Sequence, residues 1–242
     1  MEKIKMEKTN LDLVYYQNLA QELIDKRITM CWKELFDMPL RNYDRWNSVE
    51  GDIVECGVWR GGSSIFYSKL FQDKNIWCYD SYAGFQPLNE TTYEFPGERH
   101  VPEYTEGFIG PLAISLEEVK FHFKNYGLDN DSRITFVEGF VNKTLPISPV
   151  EKISILRLDV DSYSATLDIL DHLYHKVQPG GCIIFDDANL TESVAAIREF
   201  LMKANLPLEL HNPYTDEVYS IDDGEVAQTD SGFHSNSYIY KK

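Results

Sequence analysis

From residue 51 onward, short apolar runs alternate with amphipathic stretches of helical spacing. That rhythm narrows the chain to a largely parallel sheet built from βαβ units. The predicted strands are 53–56, 76–79, 134–137, 153–159, 181–185, 208–211 and 237–240, with helices over about 63–72, 115–126, 164–175 and 191–204. No long helix separates the last two strands, so they are expected to pair antiparallel. The result is an α/β fold with a mixed seven-stranded sheet and helices on both faces. Ahead of it, Leu11, Val14, Tyr15, Leu19, Leu23 and Ile24 fall on one helical face. Pro39 and the polar stretch after it are expected to break residues 11–47 into two or three helices. Residues 1–50 therefore read as a helical cap, and 51–242 as the main domain. The stretch 86–112 interrupts the rhythm with Pro87, Pro96, Pro102, Pro111, Gly97, Gly107 and Gly110. A loop this long in a compact domain is usually functional, and it leaves the carboxyl edge of the sheet, where α/β proteins bind ligands. It is expected to act as a lid.

The first predicted strand and the turn after it read D-I-V-E-C-G-V-W-R-G-G-S-S, residues 52–64. Glu55 ends the apolar run, and Gly57, Gly61 and Gly62 precede a helix that begins with Ser63 and Ser64. Glycine allows a sharp turn and a close ligand approach, and a helix start offers unpaired N–H groups to an anion. The spacing E-x-G-x-x-x-G differs from the dinucleotide pattern G-x-G-x-x-G. An acid inside the turn repels a pyrophosphate but suits the ammonium of an amino acid. Arg60 lies in the same turn, either against the cofactor or balancing nearby acids. The second strand ends in Asp80 and Ser81, where a nucleoside's ribose hydroxyls are received. The third ends at Glu138, Gly139 and Phe140, a place where an adenine could be edged and stacked. Adenosine joined to an amino acid is S-adenosylmethionine.

Two later strands also end in acids. I-S-I-L-R-L-D-V-D carries Asp159 and Asp161, and G-G-C-I-I-F-D-D carries Asp186 and Asp187. Adjacent parallel strands would bring these tips together, and four carboxylates repel unless a cation sits between them. Hard oxygen ligands select Mg²⁺, Mn²⁺ or Ca²⁺ over zinc. Side chains alternate along a strand, so Asp159 and Asp161 need not share a site; Asp159, Asp186 and Asp187 are taken as the ligands. Asp161 is left to cap the helix beginning near Ser164.

The segments ECGVWRGGSS, YDSYAGF, ISLEEVKFHFKNYGL and ILRLDVDSYSATLDILDHLYHKVQPGGCIIFDD resemble the macrocin O-methyltransferase (TylF-type) family, in order, over about residues 50–200. The resemblance implies a Rossmann-like class I methyltransferase fold, S-adenosylmethionine and Mg²⁺ (or Mn²⁺) held by Asp159, Asp186 and Asp187. It implies cofactor contacts over Glu55–Ser64, at Asp80 and Ser81, and at Glu138 and Gly139. The acceptor would be a sugar hydroxyl, free or nucleotide-linked. The chain departs from the family at D-V-D, where D-G-D is expected, and over 86–112 and 213–236, where substrate choice would lie. Methyl transfer needs the acceptor oxygen held behind the methyl and its proton removed. Asp159 is the expected base, with His100 in the lid as its rival.

The formal charge of −16 argues against nucleic acid or an anionic membrane as partner. Cys31, Cys56, Cys78 and Cys182 form no C-x-x-C pair, which fits a reducing cytoplasm without a zinc site. The charged first ten residues carry no secretory pattern, and no run of about 18 apolar residues occurs. A homo-oligomer is expected, with the N-terminal helices able to form a dimer seam or to lie across the site. Other readings explain less. A phosphatase of the haloacid dehalogenase type places D-x-D on its first strand and leaves Glu55 and Asp80 without a task. A nicotinamide oxidoreductase needs the other turn spacing. A catechol-type methyltransferase wants a flat slot, which Trp59, Tyr82, Phe85 and Phe95 could supply. A protein that binds the cofactor without turnover would not need the intact acids.

Overall fold

A computed structural model describes residues 11–29, 33–96, 112–222 and 236–242. Its sheet follows the predicted rhythm. The strands are β1 (Asp52–Cys56), β2 (Ile76–Asp80), β3 (Ile134–Glu138), β4 (Ile153–Leu158), β5 (Val177–Phe185), β6 (Glu209–His211), β7 (Val218–Ser220) and β8 (Ser237–Tyr240). Their spatial order is β3-β2-β1-β4-β5-β8-β6-β7. The first five run parallel, while β8 pairs antiparallel with both β5 and β6. The expected antiparallel pairing of the last two predicted strands is therefore present.

The sheet has eight strands rather than seven. The addition is β7, which pairs antiparallel with β6 from Glu209↔Ser220 to His211↔Val218. Its three residues are exposed or half-buried, between Asp216–Glu217 and Asp222, so no apolar run announces it. Strand β5 also starts at Val177, ahead of the predicted 181, and passes through Pro179, Gly180 and Gly181. Those residues read as a turn in sequence, and the β4–β5 register does shift there.

Alternation along the strands sorts the core into two layers. Ile53, Cys78, Ile155, Cys182 and Ile184 face one side, beneath α1 (Leu13–Asp25), α2 (Lys33–Arg41), α3 (Tyr43–Asn47), α4 (Gly62–Leu70) and α5 (Leu116–Asn125). Val54, Cys56, Leu156, Leu158, Ile183 and Phe185 face the other, beneath α6 (Val141–Thr144), α7 (Tyr163–Leu173) and α8 (Thr191–Lys203). On α7, Leu167, Leu170 and Leu173 recur every third residue and are fully buried. Each contributes roughly 1.5–3 kcal/mol.

Helix α4 is buried on nearly every side because it lies between the sheet and the N-terminal helices. Phe66 meets Tyr16 at 6.0 Å and Phe36 at 4.7 Å between ring centroids. The expected break falls in the polar stretch after Pro39. Pro39 sits in the last turn of α2, and the helix stops before Asn42. Cys56, Cys78 and Cys182 are free and buried in β1, β2 and β5. Among the described residues, no helix is long and apolar enough to cross a membrane.

Candidate active site at the carboxyl edge of the sheet

The strand order turns back on itself between β1 and β4, the switch point at which open α/β sheets bind ligands. A cavity of about 510 Å³ opens there. One end is the turn from β1 into α4. Gly57 holds φ +85°, and a Cβ on it would lie 1.6 Å from the Asp159 carbonyl oxygen, so only glycine lets β1 and β4 run this close. Gly62 is pinned from the other side. Its N–H donates to the Ile28 carbonyl at 3.2 Å, and a Cβ would meet Thr29 at 2.6 Å. Ile28 and Thr29, in the connection after α1, thereby become part of the cavity wall.

Of the residues expected at the cofactor, Gly57, Gly62, Ser63, Asp80 and Ser81 line the cavity. Asp80 organises the turn. One of its oxygens accepts N–H groups from Val58 (2.6 Å) and Trp59 (3.0 Å), the other from Tyr82 (2.7 Å). Burial pushes its carboxyl upward against these three bonds. Phe140 and Val141 supply apolar wall where an adenine was expected, whereas Glu138 is exposed and neither it nor Gly139 reaches the lining.

Glu55 requires a correction. Its carboxylate is fully buried and turned away from the cavity, accepting the Ser63 and Ser64 hydroxyls and one nitrogen of Arg157 at 2.6 Å. Burial raises its pKa, and Arg157 pulls it back. Arg60 balances a nearby acid. It lies 3.5 Å from Glu118, donates to the Arg27 carbonyl at 3.0 Å and stacks on Trp59. Gly61 begins α4 with φ +88° and packs against Phe123, outside the lining. Of the aromatic residues considered for a flat slot, Trp59 and Phe85 line the cavity. Tyr82 is in the core, and Phe95 stacks on Tyr163 at 4.9 Å.

At the other end, oxygens of Asp159, Asp161 and Asp187 lie within 4.8 Å of one another. This differs from the expected trio in one member. Asp186 turns its carboxylate to Arg157 at 2.5 Å, and Asp161 stands in the cluster instead. Nor does Asp161 cap α7. Ser162 does so, accepting the Ala165 N–H at 3.3 Å. Asp161 has the left-handed φ of +50°, which aspartate tolerates better than most residues. Asp187 accepts the backbone N–H groups of Val160 (3.0 Å) and Asp161 (2.8 Å). Burial, then the charge of Asp159, lifts the Asp161 carboxyl to about 6. Burial and the charges of Asp161 and Asp159 push Asp187 well above the ordinary carboxylate range. Three crowded carboxylates, of which Asp161 and Asp187 are disfavoured as anions, are a donor set fit for a hard divalent cation.

Sequence reasoning passed over Arg157, Thr29 and Ser162. Arg157 had a signal, being the one charged residue in the otherwise apolar or small strand I-S-I-L-R-L. Thr29 had none, because only the packing of the α1–α2 connection on Gly62 brings it there. His100 and most of the expected lid, 97–111, lie outside the described residues. The described part of that stretch packs on the domain. Tyr93 donates its N–H to Ser164 at 3.0 Å and its hydroxyl to Asp171 at 2.6 Å.

Comparison with known proteins agrees with this fold. Residues 41–219 match the family described as macrocin-O-methyltransferase (TylF). The chain is 33% identical over 181 residues to the mycinamicin III 3''-O-methyltransferase of Micromonospora griseorubida, covering 73% of this chain and 67% of that protein. It is 36% identical over 179 residues to the demethyldecarbamoylnovobiocin O-methyltransferase of Streptomyces niveus, covering 72% and 66%. The matched region thus spans about two thirds of each relative's length. Among solved structures, the O-methyltransferase NovP aligns with a TM-score of 0.63 and 30% identity, over 86% of this chain and 77% of that one. The fold is that of the class I methyltransferases, and the chain belongs to the macrocin-O-methyltransferase (TylF) family.

Proposed function

We propose that this protein transfers a methyl group from S-adenosylmethionine to a hydroxyl of a sugar, assisted by Mg²⁺ or Mn²⁺. The observation that carries the reading is the convergence, in one cavity, of the Gly57–Gly62 turn with Asp80 at one end and three clustered carboxylates at the other. The sugar comes from the family resemblance and from a relative in Streptomyces olivaceus whose name describes O-methylation of a rhamnosyl-bearing tetracenomycin.

In this reading the turn and the start of α4 receive the methionine part of the cofactor, Asp80 and Ser81 the ribose, and Phe140 with Val141 the adenine. Asp159, Asp161 and Asp187 hold the cation, with Asp186 behind them on Arg157. The bound ion would lower the pKa of an acceptor hydroxyl and fix its direction. Asp159 takes the hydroxyl proton. Its Oδ2 is held by Arg157 at 2.9 Å, which fixes the carboxylate at the edge of the cluster. Trp59, Phe85 and Leu190 line the cavity and exclude water from the reacting atoms. Gln86 and Leu112, at the two ends of the 86–112 stretch, also line the cavity.

The charge of the cavity bears on the acceptor. Its described lining contains Asp80, Asp159, Asp161, Asp186, Asp187 and Glu192 and no lysine, arginine or histidine. Even with Arg157 paired to Asp159 and Asp186, one divalent ion and a sulfonium do not offset six carboxylates, so an anionic diphosphate is disfavoured. An uncharged glycoside is therefore the better acceptor, rather than a nucleotide-linked sugar. The test is mass spectrometry of acceptor panels incubated with protein, cofactor and Mg²⁺. Addition of one methyl to an uncharged glycoside, lost on chelation, is the expected result. Absence of S-adenosylmethionine binding by calorimetry would overturn the reading. Transfer to nucleotide sugars alone would overturn the acceptor assignment.

A further inference from the structure

Between the two ends of the cavity lies a buried cation that neither end accounts for. Arg157 is fully buried in β4, among residues that are otherwise apolar or small. The parallel register sets it beside Glu55 on β1 and Ile184 on β5. Asp159 and Asp186 each lie two residues beyond a member of that row, so alternation turns them to the same face. One guanidinium nitrogen donates to Glu55 at 2.6 Å and to Asp159 at 2.9 Å, and the other donates to Asp186 at 2.5 Å. Glu55 in turn accepts the hydroxyls of Ser63 and Ser64, in the first turn of α4. The polar chain is therefore continuous from the Gly-rich turn, through Glu55 and Arg157, to two acids of the metal end.

We propose that Arg157 is a positioning residue that couples the two ends, so that a divalent cation at Asp159, Asp161 and Asp187 tightens the turn that receives the cofactor. The inference rests on the reading of those ends given above. A cation draws on the Asp159 carboxylate and weakens its hold on Arg157. The guanidinium charge then falls more fully on Glu55, which anchors Ser63 and Ser64. A direct effect would have the opposite sign, because a sulfonium and a divalent ion in one cavity repel. Arginine suits the task because its planar fork bonds several carboxylates at once in fixed directions. Lysine offers a point charge on a flexible stem.

The test measures coupling rather than activity. S-adenosylmethionine affinity is determined by calorimetry with and without Mn²⁺, and Mn²⁺ affinity with and without the cofactor, on the wild-type chain, Arg157→Lys and Arg157→Met. In the wild type each ligand should tighten the other by the same factor, about five-fold or more. In Arg157→Lys, with circular dichroism unchanged, that factor should fall to one or below. Arg157→Met leaves the buried Glu55 without its counter-charge and is expected to melt at a markedly lower temperature. If it does not fold, the lysine variant decides. A lysine variant that lowers thermal stability but keeps the wild-type factor would make Arg157 merely structural and overturn the proposal. So would a wild type that binds both ligands independently. A wild type that binds neither would instead sink the functional reading on which the proposal rests.

Discussion

Replacing Asp161 with asparagine should stabilise the metal-free protein while removing its response to metal. Asp161 lies within 4.8 Å, oxygen to oxygen, of Asp159 and Asp187, and its carboxyl is lifted to about 6 by burial and by Asp159. In the unfolded chain it would titrate near 3.8. A folded pKa above the unfolded one means that the folded state binds more protons in between. Folding stability therefore rises as pH falls from about 6 toward 4, and the full cost of ionisation is borne above 6. Two pH units at about 1.4 kcal/mol each give a ceiling of about 3 kcal/mol. Asparagine removes the charge, keeps an acceptor oxygen for Asp187 and adopts the left-handed φ of +50° readily, so the backbone does not confound the result. For a chain of 242 residues, about 2–4 °C per kcal/mol puts the gain in Tm at roughly 3–10 °C in chelator at pH 7.5. Mg²⁺ at a hundred times its Kd should add about 2.7 kcal/mol to the wild type and far less to the variant. Scanning fluorimetry with chelator or Mg²⁺, at pH 5 and 7.5, reads all four states. A variant that melts below the wild type in chelator would refute the crowding. An equal Mg²⁺ shift in both proteins would put the ion elsewhere.

Three further outcomes follow from other parts of the fold. Gly57→Ala combines a left-handed backbone, costing about 1–2 kcal/mol, with a Cβ 1.6 Å from the Asp159 carbonyl oxygen. Parting β1 from β4 should leave little folded protein by circular dichroism, and a variant of wild-type stability would refute the close approach. Arg133 gathers the carbonyl oxygens of Ser68 (3.2 Å), Phe71 (3.0 Å) and Gln72 (2.8 Å) at the end of α4. Its alanine variant should lose about 2–4 kcal/mol in urea titration with kcat unchanged, since charged hydrogen bonds are worth about 1.5–3 kcal/mol each and do not add fully. Ser162→Ala removes the cap of α7 and should cost about 1 kcal/mol, and a loss below a few tenths would deny the cap its role.

The parts of the chain that were legible in sequence are those where burial writes a period. Strands β1 to β5 and helices α4, α5, α7 and α8 all lie within a few residues of their predicted spans, because each buries a face or both faces. Strand β7 escaped notice because neither face is buried. The wall formed by Ile28 and Thr29 was beyond reach, since no local pattern encodes that the α1–α2 connection packs on Gly62.

The acids of the site give a sharper lesson, because their types were read correctly and their directions only in part. Asp186 and Asp187 are neighbours, and one step along a strand reverses a side chain. Asp186 continues the face of Ile184 and meets Arg157, whereas Asp187 crosses to Asp161 and the backbone N–H groups beside it. Glu55 shares the face of Arg157 and is drawn inward for the same reason. The register that decides this was within reach once Arg157 was recognised as a charge in a buried strand. A lone buried guanidinium must find carboxylates on its own face, and the strand tips offer Glu55, Asp159 and Asp186 there. What Arg157 leaves for a cation is then Asp159 by its second oxygen, Asp161 and Asp187. The division of the carboxylates into an inner set held by arginine and an outer set left for a cation thus follows from the alternation of three adjacent strands.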